Sequence, residues 1–255
     1  MPKQTMELLN HSLISERYFF PRPGEPKNFL DFKAADGVRI RCSQSTPREG
    51  QKTLIHFHGN GEIVADYDDG YSDSMAALGV NLLMIEYRGY GGSEGESQLG
   101  KMLQDVSCIR EQCGIKAEDI VVYGRSVGAI FAVEWARQDP NISGLILESG
   151  VADPFQRIIL RMSASELGVE DETLRVTCDA YLNHETKLQE YRNPLLVLHA
   201  AHDTLVTPDH AQAHMDYCRS EVKRLVLFPR GGHNTVLGAN WKEYLKEIAS
   251  FLSEL

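Results

Sequence analysis

With 36 acidic against 26 basic side chains over 255 residues, a formal charge of −10, the chain is a poor candidate for binding nucleic acid or an anionic membrane surface, since both require basic patches. Its length suffices for one substantial core, and the odd, unpatterned set Cys42, Cys108, Cys113, Cys178 and Cys218 fits free thiols in a reducing compartment better than a disulfide framework. No basic stretch followed by a long apolar run opens the sequence, and no segment holds about eighteen continuous apolar residues, so secretion and membrane spanning are disfavoured and the expected location is cytoplasmic.

Residues 1–27 are mixed in character and end in Pro21-Arg22-Pro23-Gly24, which predicts an N-terminal helix or arm outside any sheet. Asn28 to Ser43 then alternates around Asp36-Gly37, a hairpin signal. From Thr53 onward, short runs rich in β-branched residues or leucine alternate with helical stretches, the pattern of a mainly parallel sheet covered on both faces. The first such strand, Thr53 to Phe57, runs into His58-Gly59-Asn60-Gly61. Glu62 and Asp66 follow at the expected start of a helix, where carboxylates favour the positive end of its dipole. Leu82 to Ile85 is the next strand and leads into the turn Arg88-Gly89-Tyr90-Gly91-Gly92-Ser93. Leu99, Met102, Leu103 and Val106 have helical spacing.

The apolar run Ile120 to Tyr123 precedes Gly124-Arg125-Ser126-Val127-Gly128. Glycines on either side of a serine, between a strand and a helix, suit a turn too sharp for neighbouring side chains, which thrusts the hydroxyl out of the sheet. Ser126 is therefore the candidate nucleophile. The strand Leu145 to Leu147 ends at Glu148, after which about 151–192 interrupts the alternation as a helical insertion, a small cap. Ile158, Ile159, Leu160, Met162 and Leu167 within it are expected mostly to anchor it to the body. Pro194 to His199 resumes the strands and places Asp203 just beyond, and Arg224 to Phe228 leads to Gly231-Gly232-His233-Asn234. Trp241, Tyr244, Leu245, Ile248, Phe251 and Leu252 mark a closing amphipathic helix.

A serine hydroxyl at neutral pH requires a base, an acid to orient that base, and donors for the developing oxyanion. His233 is the candidate base and Asp203 the candidate acid, in the order serine, aspartate, histidine that one triad architecture uses. Glu148 is a rival acid, one strand earlier. The backbone N–H groups of Asn60 and Val127 are the candidate oxyanion donors; because these are main-chain roles, the side chains of both residues are expected to be free to vary. His56, His58, His199 and His202 lack the spacing of a metal-binding helix and read as packing or loop-shaping residues, so neither a metal nor a cofactor is implied. Arg125 is either a substrate contact or a salt-bridged residue.

The segments HFHGNG from His56, EYRGYGGSEG from Glu86, GRSVG from Gly124, LHAAHDTLV from Leu198 and GGHN from Gly231 together resemble the α/β-hydrolases. More narrowly they resemble the serine aminopeptidase-like branch that also contains abhydrolase-domain acylesterases. The resemblance covers the chain from about Phe29 onward and implies an α/β-hydrolase fold, a single catalytic domain over 1–255, and a serine hydrolase acting on a small-molecule acyl substrate. Ester or thioester cleavage through an acyl-enzyme on Ser126 is the favoured expectation. A peptidase of the serine aminopeptidase type is one alternative, and a hydrolase-like protein that binds a ligand without turnover is another.

Overall fold

The computed structural model describes residues 3–255, with side chains from Met6 onward; the first two residues of the expected N-terminal arm lie outside the described residues. Two short helices, α1 (Lys3–Leu8) and α2 (Ser12–Tyr18), come first. They are followed by the hairpin of β1 (Phe29–Lys33) and β2 (Arg39–Gln44). Gly37 takes φ +86° at its turn, a backbone conformation that glycine adopts without steric cost.

Six more strands follow: β3 (Thr53–Phe57), β4 (Asn81–Ile85), β5 (Ile120–Arg125), β6 (Gly144–Glu148), β7 (Leu195–Ala200) and β8 (Lys223–Phe228). Together the strands form one sheet in the order β1-β2-β4-β3-β5-β6-β7-β8, antiparallel from β1 to β4 and parallel from β4 to β8. Every residue of β3 to β7 is buried. Helices on both faces require this, and it is why these strands read as nearly continuous apolar runs.

The connecting helices are α3 (Tyr71–Ala77), α4 (Leu99–Gln112), α5 (Gly128–Gln138), α6 (Pro154–Ile159), α7 (Asp171–Leu182), α8 (His184–Leu188), α9 (Pro208–Tyr217), α10 (Val236–Ala239) and α11 (Trp241–Ser253). Two apolar clusters flank the sheet. One is built around α4, α5 and the inward faces of α6 to α8, the other around α3 and α11. In the stretch between β6 and β7, Ile158, Met162 and Leu167 are buried in the larger cluster, whereas Ile159 and Leu160 face outward. Helix α8 packs on α5 and α9, and α7 on α1. No helix among the described residues is long and apolar enough to cross a membrane, and all five cysteines are free.

Buried histidines give the fold a definite acid response. Burial first, then neighbouring positive charge, holds His56 and His184 well below the ordinary value of 6.5 and His214 down to about 3. Burial likewise lowers His199 and His210. These rings are neutral in the native state but take up a proton near pH 6.5 once unfolded, so their contribution to stability is complete above that pH and is lost as pH falls below it. His58, which is raised, runs the opposite way and is outnumbered. Between pH 7 and pH 5 a single such site costs about 2 kcal/mol, so denaturant midpoints should drop clearly over that interval. A flat profile would contradict the assignment.

Candidate active site

Ser126 follows the last residue of β5 with φ +54°, a left-handed conformation that costs a non-glycine residue of order 1–3 kcal/mol. The surrounding packing enforces it. A Cβ at Gly128 would sit 2.2 Å from the carbonyl oxygen of Phe57, and one at Gly124 would sit 2.7 Å from the Cβ of Ala132, so both glycines let α5 close down on the sheet. The turn is further tied by the N–H of Ser126 donating to the carbonyl of Glu148 (2.9 Å) and that of Val151 donating to the carbonyl of Ser126 (3.1 Å).

Asp203 lies in the loop after β7 and His233 in the loop after β8, so two adjacent parallel strands deliver both residues to the same edge of the sheet. The Oγ of Ser126 is 2.8 Å from Nε2 of His233, and Nδ1 of His233 is 2.8 Å from Oδ2 of Asp203. All three residues are more than nine-tenths buried. The other carboxylate oxygen of Asp203 accepts the N–H groups of Leu205 and Val206, each at 2.9 Å. Burial opposes ionisation of Asp203, but its hydrogen bond with His233 and those from Val206 and Leu205 outweigh burial and hold the carboxyl below its ordinary value. An ionised Asp203 accepts from Nδ1–H, which leaves the Nε2 lone pair facing the serine. His199 braces the same loop: its Nε2 donates to the carbonyl of Val206 (2.8 Å) and lies 3.5 Å from Oδ2 of Asp203.

Glu148, the rival acid, points elsewhere. Its Oε2 accepts the hydroxyls of Tyr123 and of Tyr244 (2.7 Å for the latter), and its Oε1 faces Nε of Arg125 at 3.4 Å. Arg125 is thus a buried, salt-bridged residue. Its Nη1 pairs with Glu62 at 2.5 Å, and its Nη2 donates to the carbonyl of His233 and to Oδ1 of Asn234, both at 3.2 Å. Burial disfavours its charge, yet Glu148 and Glu62 raise its pKa above the usual value. The expectation that Glu62 starts a helix is corrected here. Only a 3₁₀ turn, Val64–Tyr67, follows it, and its carboxylate is taken up by Arg125, the N–H of Gly59 (2.7 Å) and the hydroxyl of Tyr67 (2.6 Å). Asp66 accepts from the N–H of Ile63 (3.2 Å) and pairs with Arg22 (2.8 Å).

The His58–Gly61 loop shows how a backbone donor is aimed. Nδ1 of His58 contacts the carbonyl of Gly59 at 2.8 Å and its Nε2 contacts Oε1 of Glu86 at 2.7 Å. The Gly59 carbonyl can only accept, so Nδ1 carries a proton, and a second proton on Nε2 would give the ring a positive charge facing Glu86. Burial opposes that charge, but Glu86 raises the pKa of His58. The Gly59 carbonyl and the Asn60 N–H belong to one peptide unit and point opposite ways, so anchoring the carbonyl turns the N–H outward. Neither the N–H of Asn60 nor that of Val127 donates to another group among the described residues. The expectation that the Asn60 side chain is free to vary does not fit, because it bonds Tyr18, Phe20 and Tyr90. The partners of Glu62, Glu86 and Arg125 escape sequence reading, where the only local signal is charge embedded among glycines and apolar runs.

Comparisons with known proteins agree with this architecture. Residues 48–168 match the family described as serine aminopeptidase, S33, a span that includes the His58–Gly61 loop and the serine turn but ends before Asp203 and His233. The human alpha/beta hydrolase domain-containing protein 17B is 24% identical over 219 residues, 84% of this chain and 69% of that protein. The Caenorhabditis elegans alpha/beta hydrolase domain-containing protein aho-3 is 26% identical over 220 residues, 84% of this chain and 61% of that one. Among solved structures, the Pyrococcus furiosus esterase Pf2001 superposes with a TM-score of 0.69 at 17% identity, covering 94% of this chain and 95% of that one. Est1E from Butyrivibrio proteoclasticus, solved with ferulic acid bound, gives 0.72 at 17% identity, covering 88% and 98%. With its sheet order, its helical layers and these structural neighbours together, the chain has the α/β-hydrolase fold.

Proposed function

We propose that the chain is a serine hydrolase that cleaves a carboxylic ester or thioester of a small or medium-sized substrate, with Ser126 as nucleophile, His233 as general base and Asp203 as the acid orienting it. The observation that carries this reading is the unbroken relay from Ser126 Oγ through His233 to Asp203 at 2.8 Å per step, beside two unspent N–H groups. His233 takes the hydroxyl proton as Oγ attacks the carbonyl carbon. The N–H groups of Asn60 and Val127 receive the oxyanion, and the imidazolium returns the proton to the leaving group. Water, deprotonated in turn by His233, then releases the acid from the acyl-enzyme. In the same reading 1–255 is one catalytic domain, with residues 1–27 an N-terminal arm and 151–192 a cap whose outward Ile159 and Leu160 are available to a substrate.

Esters are favoured over amides because their leaving groups depart more readily, and solved neighbours that bear esterase names point the same way. The match to the serine aminopeptidase family supports a second reading, peptide cleavage. Hydrolysis of a short p-nitrophenyl acyl ester, with an aminopeptidase substrate competing in the same assay, separates the two. The ester is expected to turn over and Ser126→Ala to abolish turnover; undiminished activity in Ser126→Ala would overturn the proposal.

A further inference from the structure

The side chain of Asn60 sits in a closed set of partners that the reaction chemistry alone does not require. Its Oδ1 accepts the N–H of Phe20 at 3.0 Å and the hydroxyl of Tyr90 at 2.8 Å, and its Nδ2 donates to the carbonyl of Tyr18. Tyr90 is fully buried, and its hydroxyl oxygen also accepts the N–H of Phe20 at 2.9 Å. Arg22 donates to the carbonyl of Gly61 (3.0 Å) and pairs with Asp66 (2.8 Å). The N–H of Gly91 donates to the carbonyl of Arg22 (2.8 Å), and Pro23 bridges to Gly91. The stretch from Tyr18 to Pro23 is therefore a strap laid across the His58–Gly61 loop and the Tyr90–Gly91 turn.

The strap's other flank is fastened to the residues after α6. Arg17 pairs with Glu166 at 2.8 Å and donates to the carbonyl of Arg161, while Arg161 donates back to the carbonyl of Arg17 at 3.3 Å. The Arg161 guanidinium lies over the ring of Phe20, 5.5 Å from its centroid, a separation at which a cation is attracted to an aromatic face. That ring is 46% exposed, so the strap presents an apolar group beside the site.

Two anchors then fix the peptide that carries the Asn60 N–H. His58 holds its carbonyl side from within the fold, and the strap holds the Asn60 side chain from outside. A donor contributes to transition-state stabilisation only if it already points at the oxyanion's position, since reorientation during reaction costs what the hydrogen bond gains. We propose that the strap, acting through the carboxamide of Asn60 and the hydroxyl of Tyr90, is the positioning device of the oxyanion loop, so that the N-terminal segment sets the turnover number. The inference rests on the serine-hydrolase reading and deepens it: Asn60 contributes its N–H to the reaction, and its side chain, Tyr90 and the strap keep that N–H aimed. Truncating the carboxamide loosens the donor without removing it, so the expected loss is smaller than the roughly 10²–10³-fold that follows removal of a donor.

The test measures kcat and KM for a p-nitrophenyl acyl ester with the full-length protein and with Asn60→Ala, Tyr90→Phe and Ser126→Ala, with thermal melts of each. Asn60→Ala is expected to lower kcat by roughly 10–100-fold with KM within about twofold, and to slow labelling by a fluorophosphonate in proportion. Tyr90→Phe keeps the buried ring and removes one bond, so a loss of a few-fold in kcat is expected. It decides the matter if Asn60→Ala does not fold. Unchanged kcat in Tyr90→Phe and in a folded Asn60→Ala, beside an inactive Ser126→Ala, overturns the strap's role and leaves the hydrolase reading standing. A rise in KM matching the fall in kcat/KM overturns it too, since that marks lost substrate binding rather than a misaimed donor. Activity persisting in Ser126→Ala overturns the hydrolase reading itself.

Discussion

Asp203→Asn is expected to lower ester turnover by roughly 10⁴-fold, the scale at which a wrongly protonated triad histidine acts, while leaving the fold nearly unchanged. The reason lies in what surrounds the carboxylate. Its Oδ1 accepts two backbone N–H groups, from Leu205 and Val206. In the asparagine variant that position must keep an oxygen, because an NH₂ there would meet two donors. The amide nitrogen is then forced into the place of Oδ2, facing Nδ1 of His233. It can only donate, so Nδ1 must accept and the ring proton moves to Nε2. His233 would then offer Ser126 an N–H instead of a lone pair. Steady-state kinetics with a melting curve for the variant checks this: a well-folded Asp203→Asn with more than about a tenth of wild-type kcat would contradict the role assigned to Asp203.

Arg125→Met is expected to be the most damaging single change to stability. The guanidinium is buried between Glu62 and Glu148, and Glu148 is 2% exposed. Removing one member of a buried ionic group leaves uncompensated charge and costs about 3–5 kcal/mol. In a chain of this size that corresponds to a melting shift on the order of 10 °C. Methionine fills much of the volume, so the loss reports charge rather than a cavity. The variant also releases the carbonyl of His233 and the side chain of Asn234, so activity should fall beyond what unfolding explains. Adding Glu148→Gln removes one stranded charge and should recover part of the stability. A melting temperature for Arg125→Met within about 2 °C of wild type would contradict this account.

The central strands are legible because both faces of β3 to β7 are covered and each appears as an apolar run. Ser126, Asp203 and His233 are legible as candidates because each sits in a loop that follows a strand-like run, and parallel strands send all those loops to one edge. The choice between Asp203 and Glu148 is harder, since both end strands. It turns on direction, with Glu148 drawn toward Tyr123, Tyr244 and Arg125 and Asp203 toward His233.

A salt-bridged Arg125 is one of the two readings the sequence allows, but its partners Glu62 and Glu148 are distant in the chain and nothing local names them. Glu62 reads as a helix start only while its partners are invisible; Arg125 and the N–H of Gly59 capture it first. The burial of Ile158 beside the exposure of Ile159 follows from the packing of a six-residue helix, too short for periodicity to assign a face. The strap is illegible for a similar reason: its contacts with Asn60 and Tyr90 run through the backbone N–H of Phe20, a group that any sequence supplies.

The most direct test of the central claim, that Ser126 acts as a nucleophile activated by His233, is covalent trapping. The protein is treated with a fluorophosphonate, digested, and the adduct located by mass spectrometry. A single phosphonylated site is expected at Ser126, on the peptide containing Gly124 to Gly128, formed rapidly in the wild type, lost in Ser126→Ala and strongly slowed in His233→Ala. An adduct on another residue, or labelling of Ser126 that proceeds equally well without His233, would contradict it.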